Sequence, residues 1–483
     1  MKQILIFFAV LFFGQGFSLL ADNGKPNFIV FIADDVSWDD FGCYGNDQVK
    51  TPVIDGLADN GIRYTNVYLT TSSCSPTRNS IMTGRYPHNT GAAELHTEPP
   101  MDMLSFPEML KSNGYYTGHS GKWHMGEYAE RGFDAILRDA EEIGNSGSDA
   151  WVEVLQERPK DKPFFLWLAS LDAHRDWGEN QYSGTHDPDS LVPPSYLHNG
   201  PRTRKDLAQY YDEVHRFDVR IGEVIKELER QNALDNTMII VMSDNGRPFP
   251  HSKTRVNDQG VKTPFIVYWP GEIGSKPRTS NSLISVIDIA PTLMELAGAE
   301  IPASFQGKSF LPVIQDPSKD FRNYVFAEHN WHDYEAHERM VRDKDFMYIL
   351  NSRPNKPQMG PADAVGSPSF LELKKLFAKG ELSAAQSDVF AVPRPNEELF
   401  DCKNDSSQRL NLASVPEYEE NLKHLRATLQ KWMDETGDNI PVNLTKDWFL
   451  HVPGYIETSA KGERGEMPGA ANKATEINGK GPF

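Results

Sequence analysis

Cys74-Ser75-Pro76-Thr77-Arg78-Asn79-Ser80-Ile81-Met82-Thr83-Gly84 is the stretch around which the 483-residue chain is organised. A strand-like run, residues 62–69, leads into a Thr/Ser cluster at 70–73. Pro76 suits the first turn of a helix, where its missing N–H is not needed. The segment therefore reads as strand, turn, helix. Cys74 stands at the helix start, where free backbone N–H groups and the helix dipole favour an anion. Arg78, about one turn along on the same face, adds a fixed cation. A lone cysteine at a helix start is usually a small buried residue. The length of the pattern around this one argues for more.

Working outward, residues 27–33 form a continuous apolar, β-branched run that ends in Asp34-Asp35. Such runs mark strands buried on both faces. Residues 104–113 predict a helix stopped by Gly114, and 115–119 a short strand leading into Gly121-Lys122-Trp123-His124. Two more buried runs, 163–170 and 237–242, end in Leu171-Asp172-Ala173-His174-Arg175 and Ser243-Asp244-Asn245-Gly246. Residues 260–269 read as a fourth. Between them, 210–231 carries Val214, Phe217, Ile221, Val224, Ile225 and Leu228 at helical spacing. Helices alternating with apolar strands predict an α/β fold with a mostly parallel sheet. Ligands bind such sheets beyond the carboxyl ends of the strands, where each of these polar clusters lies.

After residue 343 the pattern changes to short strands at 346–350 and 398–401 and a helix at 417–435. The expected division is a signal peptide at 1–21, a catalytic α/β domain at 22–343, an α+β subdomain at 344–450 and a tail at 451–483. The tail, rich in Gly, Lys, Glu, Asn and Ala, reads as a surface strap or disorder. Met1-Lys2 and the apolar run 4–13 are too short to span a bilayer and fit an export signal with an exit near Ala21. The mature protein is thus expected to be exported, periplasmic or secreted, with no membrane span. Three cysteines are too few for a disulfide scaffold, and whether Cys43 and Cys402 pair is open on sequence alone. A net charge of −19 argues against nucleic acid as a partner. It also disfavours a polyanion, unless cations such as Arg78, Lys122 and Lys253 gather in one pocket.

The pattern C-x-P-x-R-x-x-x-x-T-G resembles the signature of the type I sulfatases, in which a formylglycine-generating enzyme oxidises this cysteine to formylglycine. The resemblance covers most of the chain and implies an alkaline-phosphatase-like fold. Within the family it is nearest to the heparan N-sulfatases, or sulfamidases, through Ser73-Cys-Ser-Pro-Thr-Arg78, Asp172-Ala-His-Arg175, Asn245-Gly-Arg-Pro-Phe-Pro250, Ala327-Glu-His-Asn-Trp-His332 and Trp432-Met-Asp-Glu-Thr436. Two positions depart from the sulfamidase pattern. Lys253 stands where those enzymes carry arginine, and Trp123 where they carry lysine; both are the general sulfatase residue. An O-sulfate ester and an N-sulfoglucosamine therefore both stay open as substrates.

Asp34, Asp35, Asp244 and Asn245 are hard oxygen donors, which suit Ca²⁺, with Mg²⁺ second, better than zinc. With residue 74 they form the expected metal set. Phosphatases and phosphodiesterases of this fold usually carry histidine at the position of Asn245 and hold two zinc ions, so a sulfuryl substrate is favoured. The resemblance further implies a hydrated formylglycine whose first hydroxyl attacks sulfur and whose second expels sulfate after losing its proton towards His124. Arg78 and Lys122 would hold the sulfate oxygens, while His174 and Lys253 protonate the leaving group. Arg175, His332 and His337 are candidate substrate contacts, with His329, Trp331 and Tyr334 beside them. The partner is then a sulfated oligo- or polysaccharide, as in glycosaminoglycan degradation. A phosphomonoesterase or phosphodiesterase, or an inactive polyanion-binding relative, is the alternative.

Overall fold

β1 (Asn27–Ala33) is buried along its whole length in the computed structural model, which describes residues 24–177, 184–274, 276–450 and 456–483. It lies at the centre of an eight-stranded sheet. The others are β2 (Ile62–Tyr64), β3 (Tyr116–Gly121), β4 (Ala135–Leu137), β5 (Phe164–Ala169), β6 (Thr237–Ser243), β7 (Phe265–Tyr268) and β8 (Arg278–Ser280). Their spatial order is β4-β3-β5-β1-β6-β7-β2-β8. Every neighbouring pair is parallel except the two that β7 makes with β6 and β2. The expected α/β class and mostly parallel sheet are what the chain adopts. The run at 260–269 yields only the short, antiparallel β7, because Asp258–Val261 forms a helical turn.

Side chains alternate across β1 as the pleat requires. Phe28, Val30 and Ile32 join one core with Met238, Ile240 and Met242 of β6. Ile29, Phe31 and Ala33 join the other, which is covered by Leu207, Val214, Phe217, Ile221, Val224 and Leu228 of α3 (Pro201–Arg230). Each fully buried aliphatic or aromatic side chain contributes about 1.5–3 kcal/mol, so the strand is fixed by its two faces rather than by propensity. α3 begins nine residues before the periodicity shows. Gly200 and Pro201 start it, and its first turns are mostly polar, so no apolar stripe announces them.

α1 (Pro52–Asp59) has no capping bond from its own N-cap, Thr51. Asp218 of α3 does that work from outside, accepting Ile54 N–H at 2.7 Å and Val53 N–H at 3.2 Å. Asp218→Ala is expected to lower stability by about 1–2 kcal/mol, as loss of a helix cap does, and Asp218→Asn by less. Urea midpoints of the two variants check this; identical midpoints for Ala and wild type would mean that water replaces the cap.

The second sheet is antiparallel, in the order β9 (Val325–Trp331), β10 (Glu335–Arg342), β11 (Phe346–Asn351), β12 (Glu397–Asp401). One face is covered by α4 (Glu419–Thr436), whose Leu425, Leu429 and Trp432 pack with Phe326, Val341, Tyr348 and Leu399. The boundary expected at 343/344 falls between β10 and β11, inside this one sheet. The tail at 456–483 has few regular hydrogen bonds yet is held in place. Buried Arg85 donates to the carbonyls of Thr475 at 3.1 Å and Ile477 at 2.8 Å, and to Asn478 Oδ1 at 2.8 Å. It is a strap. The expected signal peptide and residues 451–455 lie outside the described residues, in which no helix is long and apolar enough to cross a membrane. Cys43 and Cys402 are free.

Candidate active site

Cys74 opens α2 (Cys74–Thr83), with Ser73 extended before it and every residue of the helix buried. Gly84 ends the helix in the left-handed region at φ 61, and a Cβ there would meet the Phe305 ring at 2.9 Å. Only glycine fits that turn, which accounts for the last letter of the sequence pattern. Cys74 Sγ lies 3.2 Å from Asn245 Oδ1, 3.8 Å from Asp34 Oδ1 and 3.9 Å from Asp35 Oδ1. Burial pushes its thiol well above the ordinary range, against the pull of Lys122 and Lys253.

The carboxylates come from neighbouring strand ends. Ala33 of β1 pairs with Ser243 of β6, so Asp34 and Asp244 leave the sheet side by side. Asp34, Asp35, Asp244 and Cys74 converge with donor atoms all within 4.8 Å of one another, each of them buried. Burial works against all three charges. It prevails at Asp35, which is raised, and at Asp244, which is raised to about 6 with help from Asp34. At Asp34 the cations Lys122, His174, Arg78 and Lys253 outweigh it and hold the carboxyl well below its usual range. The donor set fits a hard divalent cation: three carboxylate groups and an amide, with a sulfur as the one soft atom.

Cations ring this cluster. Arg78 donates Nε and Nη2 to Asp244 Oδ2 at 2.9 and 2.7 Å, and Nη1 to the Lys122 carbonyl at 3.2 Å. Lys122 Nζ pairs with Asp34 Oδ2. The lysine follows Gly121, where a Cβ would collide with the Ala169 carbonyl of β5. Lys253 Nζ lies between Asp35 Oδ2 at 2.7 Å and Asp363 Oδ2 at 2.8 Å. Burial opposes its charge, yet those two carboxylates hold it well above the lysine range. His174 Nε2 is 3.6 Å from the same Asp363 oxygen.

Cys74, Lys122, His124, His174, Arg175 and His332 line one cavity of about 790 Å³. Arg175 stands in its wall with its guanidinium held by Asp206 at 2.7 and 2.9 Å and stacked on Trp177. His332 is nearly buried, and its Nδ1 is 2.8 Å from Ser73 Oγ, next to Cys74. His337 does not reach the cavity. It is buried on β10 with Nε2 3.1 Å from Arg339 Nη2, because residues two apart on a strand share a face. His329, fully buried, is also absent from the lining. Sequence reasoning missed Asp363, on the four-residue helix Ala362–Val365, and His96 and Trp448, which line the cavity from irregular segments.

Residues 26–299 match the family model described as Sulfatase, and residues 251–350 match that of the C-terminal part of N-sulphoglucosamine sulphohydrolase. The chain is 31% identical to an ulvan-active sulfatase of Formosa agariphila, over 88% of this chain and 83% of the relative.

The chain belongs to the sulfatase family.

This sulfatase is also 28% identical to the N-sulphoglucosamine sulphohydrolase of Homo sapiens, over 89% of its own length and 93% of that protein. Its fold matches a solved structure in complex with D-glucosamine-2-N,6-O-disulfate, with TM-score 0.67, 22% identity and coverage of 85% and 98%. It also matches that of a 2-O GAG sulfatase, with TM-score 0.62, 22% identity and coverage of 85% and 92%. The sulfatase is thus a sulfuric ester hydrolase of alkaline-phosphatase-like fold, as the residues around Cys74 imply.

Proposed function

We propose that this sulfatase removes sulfate from a sulfated saccharide, using a formylglycine made from Cys74 and a Ca²⁺ ion. The observation that carries the reading is the convergence of Cys74, Asp34, Asp35, Asp244 and Asn245 beside one cavity, with Arg78, Lys122 and Lys253 paired to the carboxylates and Lys122, His124 and His174 in the cavity wall. Asp34, Asp35, Asp244, Asn245 and residue 74 would hold the cation, which supplies Lewis acidity towards a sulfate oxygen. Conversion of the thiol by a formylglycine-generating enzyme would replace the one soft donor and furnish two hydroxyls on hydration. Lys122 and Arg78 counter the charge of the sulfate and of its attacker. His174 Nε2 and Lys253 Nζ, joined through Asp363, hold protons for the leaving oxygen or nitrogen. Ulvan-active and N-sulphoglucosamine relatives support a sugar as the leaving group. Export to the periplasm or beyond is proposed from the apolar run at 4–13.

Lys253 also favours sulfate over phosphate. Asp35, His174 and Asp363 converge as a second three-donor group, and the Lys253 ammonium already sits between its two carboxylates. One fixed positive charge there suits a sulfuryl group, which carries less charge than the phosphoryl group two metals serve. The test is a panel of defined N- and O-sulfated saccharides beside phosphate monoesters, read as released anion. Phosphate release without sulfate release would overturn the reading. Within it, His332→Ala is expected to raise KM for the natural saccharide about tenfold and to leave an aryl sulfate within about threefold. Equal losses on both would instead make His332 a brace for Ser73 and the Cys74 turn.

A further inference from the structure

His96 and His124 face each other at the cavity wall, 28 residues apart in sequence. Their ring centroids are 4.9 Å apart, and His124 Nε2 is 2.9 Å from His96 Nδ1. Both residues have positive φ, 61° at His96 and 45° at His124. Non-glycine residues hold that conformation only where their surroundings impose it, and such residues cluster at functional sites. The His96 loop is indeed pinned. His96 N–H donates to Ser75 Oγ at 2.9 Å, next to Cys74. Leu95 donates to the Trp331 carbonyl at 3.2 Å and accepts from Arg464 at 2.6 Å.

A bond between two ring nitrogens needs one N–H and one lone pair. If His96 donates, His124 carries its proton on Nδ1, a buried atom with no hydrogen-bond partner among the described residues. An orphaned buried N–H is the rarer and costlier arrangement. If His124 donates from Nε2, its Nδ1 is a lone pair. That lone pair suits its surroundings, in which the charges acting on His124 are mainly the positive ones of Lys122 and Arg78. The exposed His96 then keeps its own N–H on Nε2, in reach of water. The second arrangement wins on both counts.

We propose that His96 is a positioning residue that locks His124 in the Nε2–H tautomer, which leaves the ring's one lone pair on Nδ1. The inference rests on the sulfatase reading, in which His124 accepts a proton before sulfate leaves. A proton arriving there forms the Nδ1–H bond while its former electron pair stays on the donor oxygen. Nε2–H remains on His96 throughout, so loss of the Nδ1 proton restores the starting tautomer. The Asp or carbonyl partner that usually fixes a histidine tautomer is here a second imidazole.

The test begins with ¹⁵N-histidine NMR of the Cys74→Ala protein, which has no turnover to confuse the result. His96→Gln and His124→Gln assign the two rings. His124 is expected to show an unprotonated Nδ1 and a protonated Nε2. Adding His96→Ala should mix the tautomers, and His96→Asn, whose side-chain oxygen can accept the same proton, should restore the first. In mature enzyme His96→Ala should lower kcat roughly 10- to 100-fold with KM within about threefold, and His96→Asn should recover most of it. A protonated Nδ1 in the parent, or a tautomer indifferent to His96→Ala, would overturn the lock. With the lock intact, a native chain that releases no sulfate would instead overturn the sulfatase reading.

Discussion

Cys74→Ala is expected to abolish turnover, by at least about 10⁴-fold, while the protein folds and still takes up its cation. On the proposed reading the variant loses the atom from which the nucleophile is made and little else. Cys74 is 2% exposed, and its backbone is fixed by Thr77 N–H bonding to Ser73 on one side and by buried α2 on the other. Four of the five expected metal donors are untouched. Cys74→Ser is the more informative partner. A single hydroxyl can take a sulfuryl group but has no second hydroxyl to expel it, so activity should be lost and intact mass should show one added sulfuryl group. Steady turnover by either variant would refute a nucleophile derived from residue 74.

Chelation should remove activity and also change how stability depends on pH. In the metal-free protein, burial raises Asp35 and lifts Asp244 to about 6 from 3.8. For a carboxyl raised in the folded state, the stabilising contribution is present below about pH 4 and is lost as pH rises through about 6. For Asp244 that loss is about 3 kcal/mol by pH 7. Asp34, depressed by Lys122 and its neighbours, runs the other way and offsets part of it. EDTA-treated protein should therefore melt at a lower temperature at pH 7 than at pH 5, and added Ca²⁺ should raise the melt far more at pH 7. Equal shifts at both pH values would contradict the proposed site. Stoichiometric zinc in purified protein, without calcium or magnesium, would favour phosphate chemistry.

Much of this site was legible because its residues follow strands that announce themselves. Asp34-Asp35, His174 and Asp244-Asn245 each follow an unbroken apolar run. A buried parallel strand cannot hold such polar residues, so they mark where it ends. The role of Lys253 came only through the family resemblance, since its burial between two carboxylates leaves no trace in sequence. Asp363 and His96 were invisible for a different reason. Asp363 reaches the cavity from the short helix Ala362–Val365 and His96 from a turn, and the course of each depends on contacts with distant segments, Lys253 for one and Trp331 and Arg464 for the other. β9 and β10 were missed because charged and histidine residues at 328, 329, 337, 338 and 339 break the apolar pattern while being buried, with Arg339 pairing to Glu328, His337 and Asp438. His337 illustrates the cost: its neighbours in sequence suggested a rim, and the strand took it inside.

The strap held by Arg85 bears on when, in the life of the chain, its chemistry can be installed. Cys74 lines the cavity but is 2% exposed and stands in a fully buried helix, so another enzyme can grasp the chain around its thiol only before α2 is enclosed. Arg85 follows directly on α2 and Gly84, and its partners are Thr475, Ile477 and Asn478. During synthesis Cys74 emerges some four hundred residues ahead of them. At about 5–20 residues per second that delay lasts roughly 20–80 s. On the proposed formylglycine reading that interval is the time for maturation, and a chain whose residues 475–478 dock behind α2 before the cysteine is converted would be complete in shape and silent in function.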